Sequence, residues 1–444
     1  MQNPARRPRV LLPAILAATV GLAGLPAQAD AAELVDKWSI RLKTRYLLQA
    51  SLDYSQGTID TRERITITNQ AGTAISKVNL SVMPKAFGEL RSIDDITVDG
   101  EPTTARWTNN ANLQVQLGRN LADGETAVIR LHFSLRASST INTSLEARLS
   151  KANGIMQVSH WFPVVSNGHE MRYPGDSQFT LAATVIRLEL RTESSTVKVA
   201  APGSVISSSG RDHVFELGNA RDYAFAVSPS FQRISGTAGG VSIKVYTTTT
   251  SGSTALSVAK SAVAKYESVY GQYQWPNLVI AQSPRAYSGN EYPGIVFLGK
   301  SILALREEIA HEVAHQWWYA MVGNDQIKEP WLDEGIAQFS ADSWFGGFAA
   351  FDSGRPVNAA ATEFPNVPAP QTTYDPDSYD QTIYFKASKF LAGLRSRMGT
   401  TAFFAAMREL FTANRNGTLT TAEFVTAMRR HGASYSYLDA FLRL

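Results

Sequence analysis

The chain has 444 residues, 44% of them hydrophobic and 18% charged, with a formal net charge of +3. That length exceeds one ordinary core, so two or three domains are expected, and the composition excludes a disordered chain. The small charge argues against nucleic acid as a partner, and the lack of cysteine excludes a disulfide framework or a lipid-bearing thiol.

The amino terminus carries Arg6, Arg7 and Arg9 ahead of an apolar run from Val10 to Leu25. Ala27-Gln28-Ala29 then puts small residues at −3 and −1 of a cut before Asp30, the layout of a secretory signal peptide over residues 1–29. The apolar run is broken by Pro13 and falls short of the ~20 residues of a membrane span. A bacterial protein exported to the periplasm or the medium is expected, with no stable membrane association once the leader is cut.

Residues 30–235 read as strand after strand. Arg62–Asn69, Leu113–Leu117 and Ala127–Leu135 alternate polar with apolar, and Asp99-Gly100, Asn109-Asn110 and Asp123-Gly124 supply turns. This predicts an antiparallel β saddle or sandwich. The small residues from Ser235 to Gly240 suggest a flexible linker. A second domain, residues 236–444, mixes both periods: strands over 241–246, 277–281 and 294–298, a helix over 255–270, a helix over 302–321, another over 330–345, and helices from Ala387 onward. Thr420 or Thr421 is placed to cap one of these. The expected class is multi-domain α+β, with the β domain followed by an α/β domain that ends in helices.

The densest chemistry lies in this second half. His311 and His315, four residues apart, stand roughly 40° apart around a helix and ~6 Å apart along it, so both imidazoles can meet one metal. Glu312 flanks that face, where a general base for water is needed. A catalytic zinc takes three protein ligands plus water, and Glu334 supplies the third after an interval of eighteen residues, at the start of a new helical pattern. One Zn2+ per chain is expected.

His311-Glu312-Val313-Ala314-His315, the eighteen-residue interval and Trp331-Leu332-Asp333-Glu334-Gly335 together resemble the gluzincin metallopeptidases of the aminopeptidase N and leukotriene-hydrolase kind. The resemblance runs from about residue 40 to the end and implies a thermolysin-like catalytic domain, in a form that lacks the helical-repeat domain of larger members. Glu291, in Gly289-Asn290-Glu291-Tyr292-Pro293-Gly294, matches the family acid that binds the free α-amine of the substrate. Gly289 and Gly294 would let backbone approach substrate, whereas Asn290 and Ser288 depart from the family's Met and Gly. Tyr384 matches the family tyrosine that hydrogen-bonds the oxyanion, with Tyr379 as rival. Asp333 is a candidate to orient a histidine, and Glu170 and Asp176 lie where some members carry a second amine-binding group.

The resemblance implies an aminopeptidase acting on peptides with free N-termini. A zinc endopeptidase or non-peptide hydrolase on the same site, or a non-catalytic peptide-binding protein, stand as alternatives. Oligomeric state is not legible.

Overall fold

The computed structural model describes residues 39–139, 148–168, 180–286, 289–326, 328–346 and 380–442. Among these, residues 39–231 build three sheets, with short helical turns at Ser39–Arg41 and Met83–Ala86. The largest sheet has eight strands, in the order Ser204–Ser209, Asp212–Ala220, Ala183–Thr192, Leu42–Asp53, Thr58–Asn69, Thr126–Arg136, Leu90–Val98 and Glu101–Pro102. Its inner face follows directly from alternation in the sequence. In Leu42–Asp53 every second residue is buried, from Leu42 and Tyr46 to Leu52. The sheet is antiparallel apart from one pair, Leu42–Asp53 beside Ala183–Thr192, which is parallel. Two four-stranded sheets complete this β-rich half, one of them holding the fully buried strand Ile155–Val158.

The second half is built on a five-stranded mixed sheet, ordered Gln232–Ala238, Val241–Thr247, Asn277–Gln282, Ile295–Leu298 and Gly289–Tyr292. Helix α1 (Gly252–Val269) connects the parallel strands Val241–Thr247 and Asn277–Gln282. Helices α2 (Arg306–Ala314) and α3 (Glu334–Trp344) follow the last strand. A wide helical segment, Asp380–Lys386, then leads into α4 (Ala387–Met398), α5 (Thr400–Asn414), α6 (Thr421–Arg430) and α7 (Tyr435–Leu442). Thr420 caps α6 in a reciprocal box with Glu423.

Two expectations need correcting. The segment from Ser235 to Gly240 is no linker: Gln232–Ala238 pairs residue by residue with Val241–Thr247, and Gly239-Gly240 forms the hairpin turn. Gly236 faces α1, where a Cβ would make ordinary contact with Lys260 at 3.4 Å and Leu256 at 3.6 Å. Residues Val35–Leu444 accordingly form one compact unit, and the other unit, Met1–Leu34, lies outside the described residues together with the expected leader. Regular helical bonding also ends at His315, not near 321. Beyond it the amides of Ala320, Met321 and Val322 reach back five residues, to the carbonyls of His315, Gln316 and Trp317. This widened turn seats Trp317 against Tyr266 and Tyr273, and Trp318 against Tyr270.

One buried group on the large sheet opposes the fold. Glu63 points inward between Leu48 and Leu131 of the flanking strands, and neither of its carboxylate oxygens has a hydrogen-bond partner. Burial pushes its pKa well above the ordinary carboxylate value. A carboxyl whose folded-state pKa is raised leaves stability intact below the unfolded pKa, near 4.5, and removes it as pH rises. Glu63→Gln should therefore raise Tm at pH 8 by ~2 °C or more and leave it nearly unchanged at pH 4. Thermal melts of both proteins at the two pH values check this, and an equal shift at both would refute the ionisation argument.

Candidate metal and peptide site

Helix α2 presents His311 in its last turn and His315 at its C-terminal cap. Their Nε2 atoms lie 3.0 Å apart. Glu334, the first residue of α3, brings Oε2 to 3.2 Å from each of them. Three local devices hold this arrangement. Asp333 caps α3 by accepting the Glu334 amide at 2.8 Å. Trp331, in the 3-10 turn Pro330–Leu332, donates its indole N–H to Thr421 at 3.0 Å and packs edge-on against Phe390 and Phe424, fixing the start of α3 against α4 and α6. The Nδ1–H of His315 donates to the Trp318 carbonyl at 3.2 Å, which turns the lone pair of Nε2 inward.

Two imidazole lone pairs and a carboxylate this close repel unless a cation lies among them. Zinc bonds of ~2.0–2.1 Å in a tetrahedral site put neighbouring donor atoms ~3.3 Å apart. Separations of 3.0, 3.2 and 3.2 Å fit that geometry, and the donor set of two imidazoles and one carboxylate suits zinc. Burial would raise the carboxyl of Glu334, but the His315 and His311 imidazoles hold it far below its ordinary value. Burial likewise works against a charged His315, yet Glu334 and Glu291 keep its pKa well above the usual one.

Glu312 is 6% exposed and stands beside this cluster. Burial pushes its carboxyl well above the ordinary range, with the charges of Glu291 and Glu334 adding to the effect. Its Oε2 is buried with no hydrogen-bond partner, so it remains open to a proton donor in the site. The edge strand Gly289–Tyr292 passes close by: a Cβ on Gly289 would come within 1.7 Å of Glu312 Oε1. Gly289 is thus required by Glu312 itself.

Glu291 is half-buried on the same strand, and its carboxylate reaches within 4.8 Å of Glu312 and His315. Asn290 does not join them. Successive strand residues face opposite ways, and its Oδ1 turns toward Gln157 Nε2 at 3.4 Å in the β-rich half. Gly294 also departs from expectation: it adopts a φ of +75° at the hairpin and abuts Pro202, so its lack of a side chain serves the turn and its packing. Tyr384, from the wide segment Asp380–Lys386, lays its ring parallel to His311, with centroids 5.7 Å apart and planes 18° apart. Gly335 permits this approach, because a Cβ there would meet Ala387 at 2.5 Å and the Ile383 carbonyl at 3.0 Å. Asp333 bonds Gln326 and the α3 backbone rather than a histidine. Tyr379, Glu170, Asp176 and Ser288 lie outside the described residues.

Sequence inspection missed two side chains near the edge strand. Gln157 sits in the fully buried strand Ile155–Val158 and accepts from Ser283 at 3.0 Å. Gln316 follows His315 and is wholly buried. A lone amide in an apolar stretch was the available signal for both.

Known proteins resemble the chain in sequence over part of its length and in fold over most of it. Residues 255–443 match the model described as the peptidase family M1 domain. Mouse aminopeptidase RNPEPL1 is 34% identical over 97 residues, 20% of this chain and 14% of that protein, so the match spans a small part of the relative's length. An M1 zinc metallopeptidase from Deinococcus radiodurans shares the fold with a TM-score of 0.68 at 16% identity, covering 91% of this chain and 96% of the other. A variant of it was crystallised with a Tyr-Ser-Ala substrate. Legionella pneumophila aminopeptidase A, in complex with aspartic acid, gives a TM-score of 0.66 at 16% identity, covering 91% of this chain and 49% of that one.

Metal analysis tests the donor triangle directly. The purified protein should carry about one zinc per chain, and His315→Ala should lose it while Glu312→Gln keeps it. Full retention of metal by His315→Ala would place the ion elsewhere.

Proposed function

We propose that this chain, a member of the peptidase M1 family through residues 255–443, is a zinc-dependent aminopeptidase that hydrolyses the N-terminal peptide bond of peptides. The position of Glu291 carries the assignment. A carboxylate within 4.8 Å of Glu312 and His315 offers a charge partner to a peptide's terminal ammonium beside the metal ligands. The peptide bound by the Deinococcus radiodurans variant supports a peptide substrate.

His311, His315 and Glu334 would hold the ion. Bound there, zinc would supply Lewis acidity toward a carbonyl oxygen or water. Glu312 takes the proton of the attacking water at its unpartnered Oε2 and passes it to the leaving amine. Its buried, raised carboxyl suits both halves of that transfer. Tyr384, stacked on His311, donates its phenol hydrogen to the developing oxyanion. Glu291 binds the α-ammonium and so places the first peptide bond, and no later one, at the reacting centre. Gln157 borders the same strand from the β-rich half.

Two kinetic outcomes check these roles. Glu312→Gln should lower kcat by at least ~10²-fold with zinc retained, the scale of general-base loss. Peptides with free termini should be cleaved at least ~10²-fold faster, by kcat/KM, than their acetylated forms, and Glu291→Ala should erase most of that ratio. Equal cleavage of both substrates by the wild type would make the site that of an endopeptidase or another hydrolase.

The proposal extends to location. Arg6 to Ala29 has the composition of a cleavable leader, so protein from its native host should begin at or near Asp30 by N-terminal sequencing. A native terminus at Met1 would rule out cleavage.

A further inference from the structure

Gln316 is fully buried and directly follows the metal-ligand candidate His315. Its Oε1 accepts the Gly294 N–H at 2.9 Å, and its Nε2 donates to the Tyr292 carbonyl at 2.9 Å. Both bonds fall on the hairpin between Gly289–Tyr292 and Ile295–Leu298, and Tyr292 is the residue next to Glu291. The other face of the hairpin is held separately. Arg148 Nη1 donates to the Tyr292 hydroxyl at 2.9 Å, and the Tyr292 ring packs edge-on against His160 and Phe297.

We propose that Gln316 is a positioning residue that sets the separation between Glu291 and the metal ligands, and thereby fixes cleavage one residue from the peptide terminus. This rests on the aminopeptidase assignment above. His315 and Gln316 are consecutive, so the residue that would hold the metal and the one that grips the amine-binding strand share one backbone unit. A shift of the hairpin relative to the His315 backbone strains the two bonds to Gln316. Those bonds need a donor and an acceptor in one short fork, which a primary amide provides and an ionised carboxylate or an alkyl chain does not. Losing them leaves a buried N–H and a buried carbonyl unpaired at the turn, and the strand relaxes to recover partners. Displacement on the order of 1 Å in a substrate-positioning group is enough to cost ~10²-fold in rate. The remaining contacts of Tyr292 act on its side chain, and the pairing of Glu291 with Val296 ties its backbone to the sheet, not to the helix that carries the histidines.

The test compares full-length wild type, Gln316→Met and Gln316→Glu. Each is assayed on one peptide with a free terminus and on its acetylated form, alongside zinc content and far-UV circular dichroism. Gln316→Met should retain about one zinc, raise KM for the free peptide at least ~10-fold with a smaller change in kcat, and lower the free-to-acetylated ratio of kcat/KM at least ~10-fold. Gln316→Glu keeps the acceptor for Gly294 and should fall between. A parallel loss on both substrates with the ratio preserved would mean a merely structural amide and would overturn the proposal. A wild-type ratio retained in both folded variants would overturn it as well. If Gln316→Met does not fold, Gln316→Glu decides by the same ratio. A wild-type ratio near one is a different result: it removes the aminopeptidase assignment, and this proposal with it.

Discussion

An excess of negative charge in a confined place governs this structure. Glu291, Glu312 and Glu334 converge on two imidazoles, and all three carboxylates lie within 4.8 Å of His315. Water is too scarce there to screen them, so the pocket is costly until cations enter it. A divalent ion among the two histidines and Glu334, with the peptide ammonium proposed at Glu291, would together balance that charge. The same polarity that would draw in a substrate's amino terminus leaves a blocked terminus without a counter-charge.

Part of the support for that convergence comes from residues without a side chain. Gly289 leaves room for the carboxylate of Glu312, and Gly335 lets the Tyr384 segment lie against α3. Side chains added at either position would push apart groups that must stay within a few ångströms. Asp333 contributes through its carboxylate, which accepts the Glu334 N–H and starts the helix that carries Glu334. Close packing therefore does as much to define this site as the polar groups themselves.

Periodicity made much of this visible in advance. His311, His315 and Glu334 were readable because helical spacing is rigid over four residues and because an aromatic-rich restart follows Glu329-Pro330. The β-rich half was readable because an inner face must be apolar at every second position, as in Leu42–Asp53. What escaped detection depends on contacts between distant segments. Gly236 looks like linker composition until α1 is laid across it, and the early end of α2 is set by where Trp317 and Trp318 must be buried. Asn290 had the right neighbours in sequence, but alternation along an edge strand turned it away from Glu291. Gln157 and Gln316 act through partners that no local pattern names.

Arg221 has a consequence for how such a molecule is made. Its guanidinium donates to the carbonyls of Thr180, Ala320 and Gly417, and Gly323 lacks a side chain where that group lies. One residue of the β-rich half thus ties down the turn that follows His315 and a loop 196 positions later in the chain. That turn in turn exchanges backbone bonds with Asn416, Gly417 and Leu419. During synthesis the His315 turn waits for almost the whole polypeptide before its last constraints arrive. Contacts between segments so far apart in sequence form late. A copy clipped before Gly417 would hold His311, His315 and Glu334 yet lack part of the clasp on the turn that follows them.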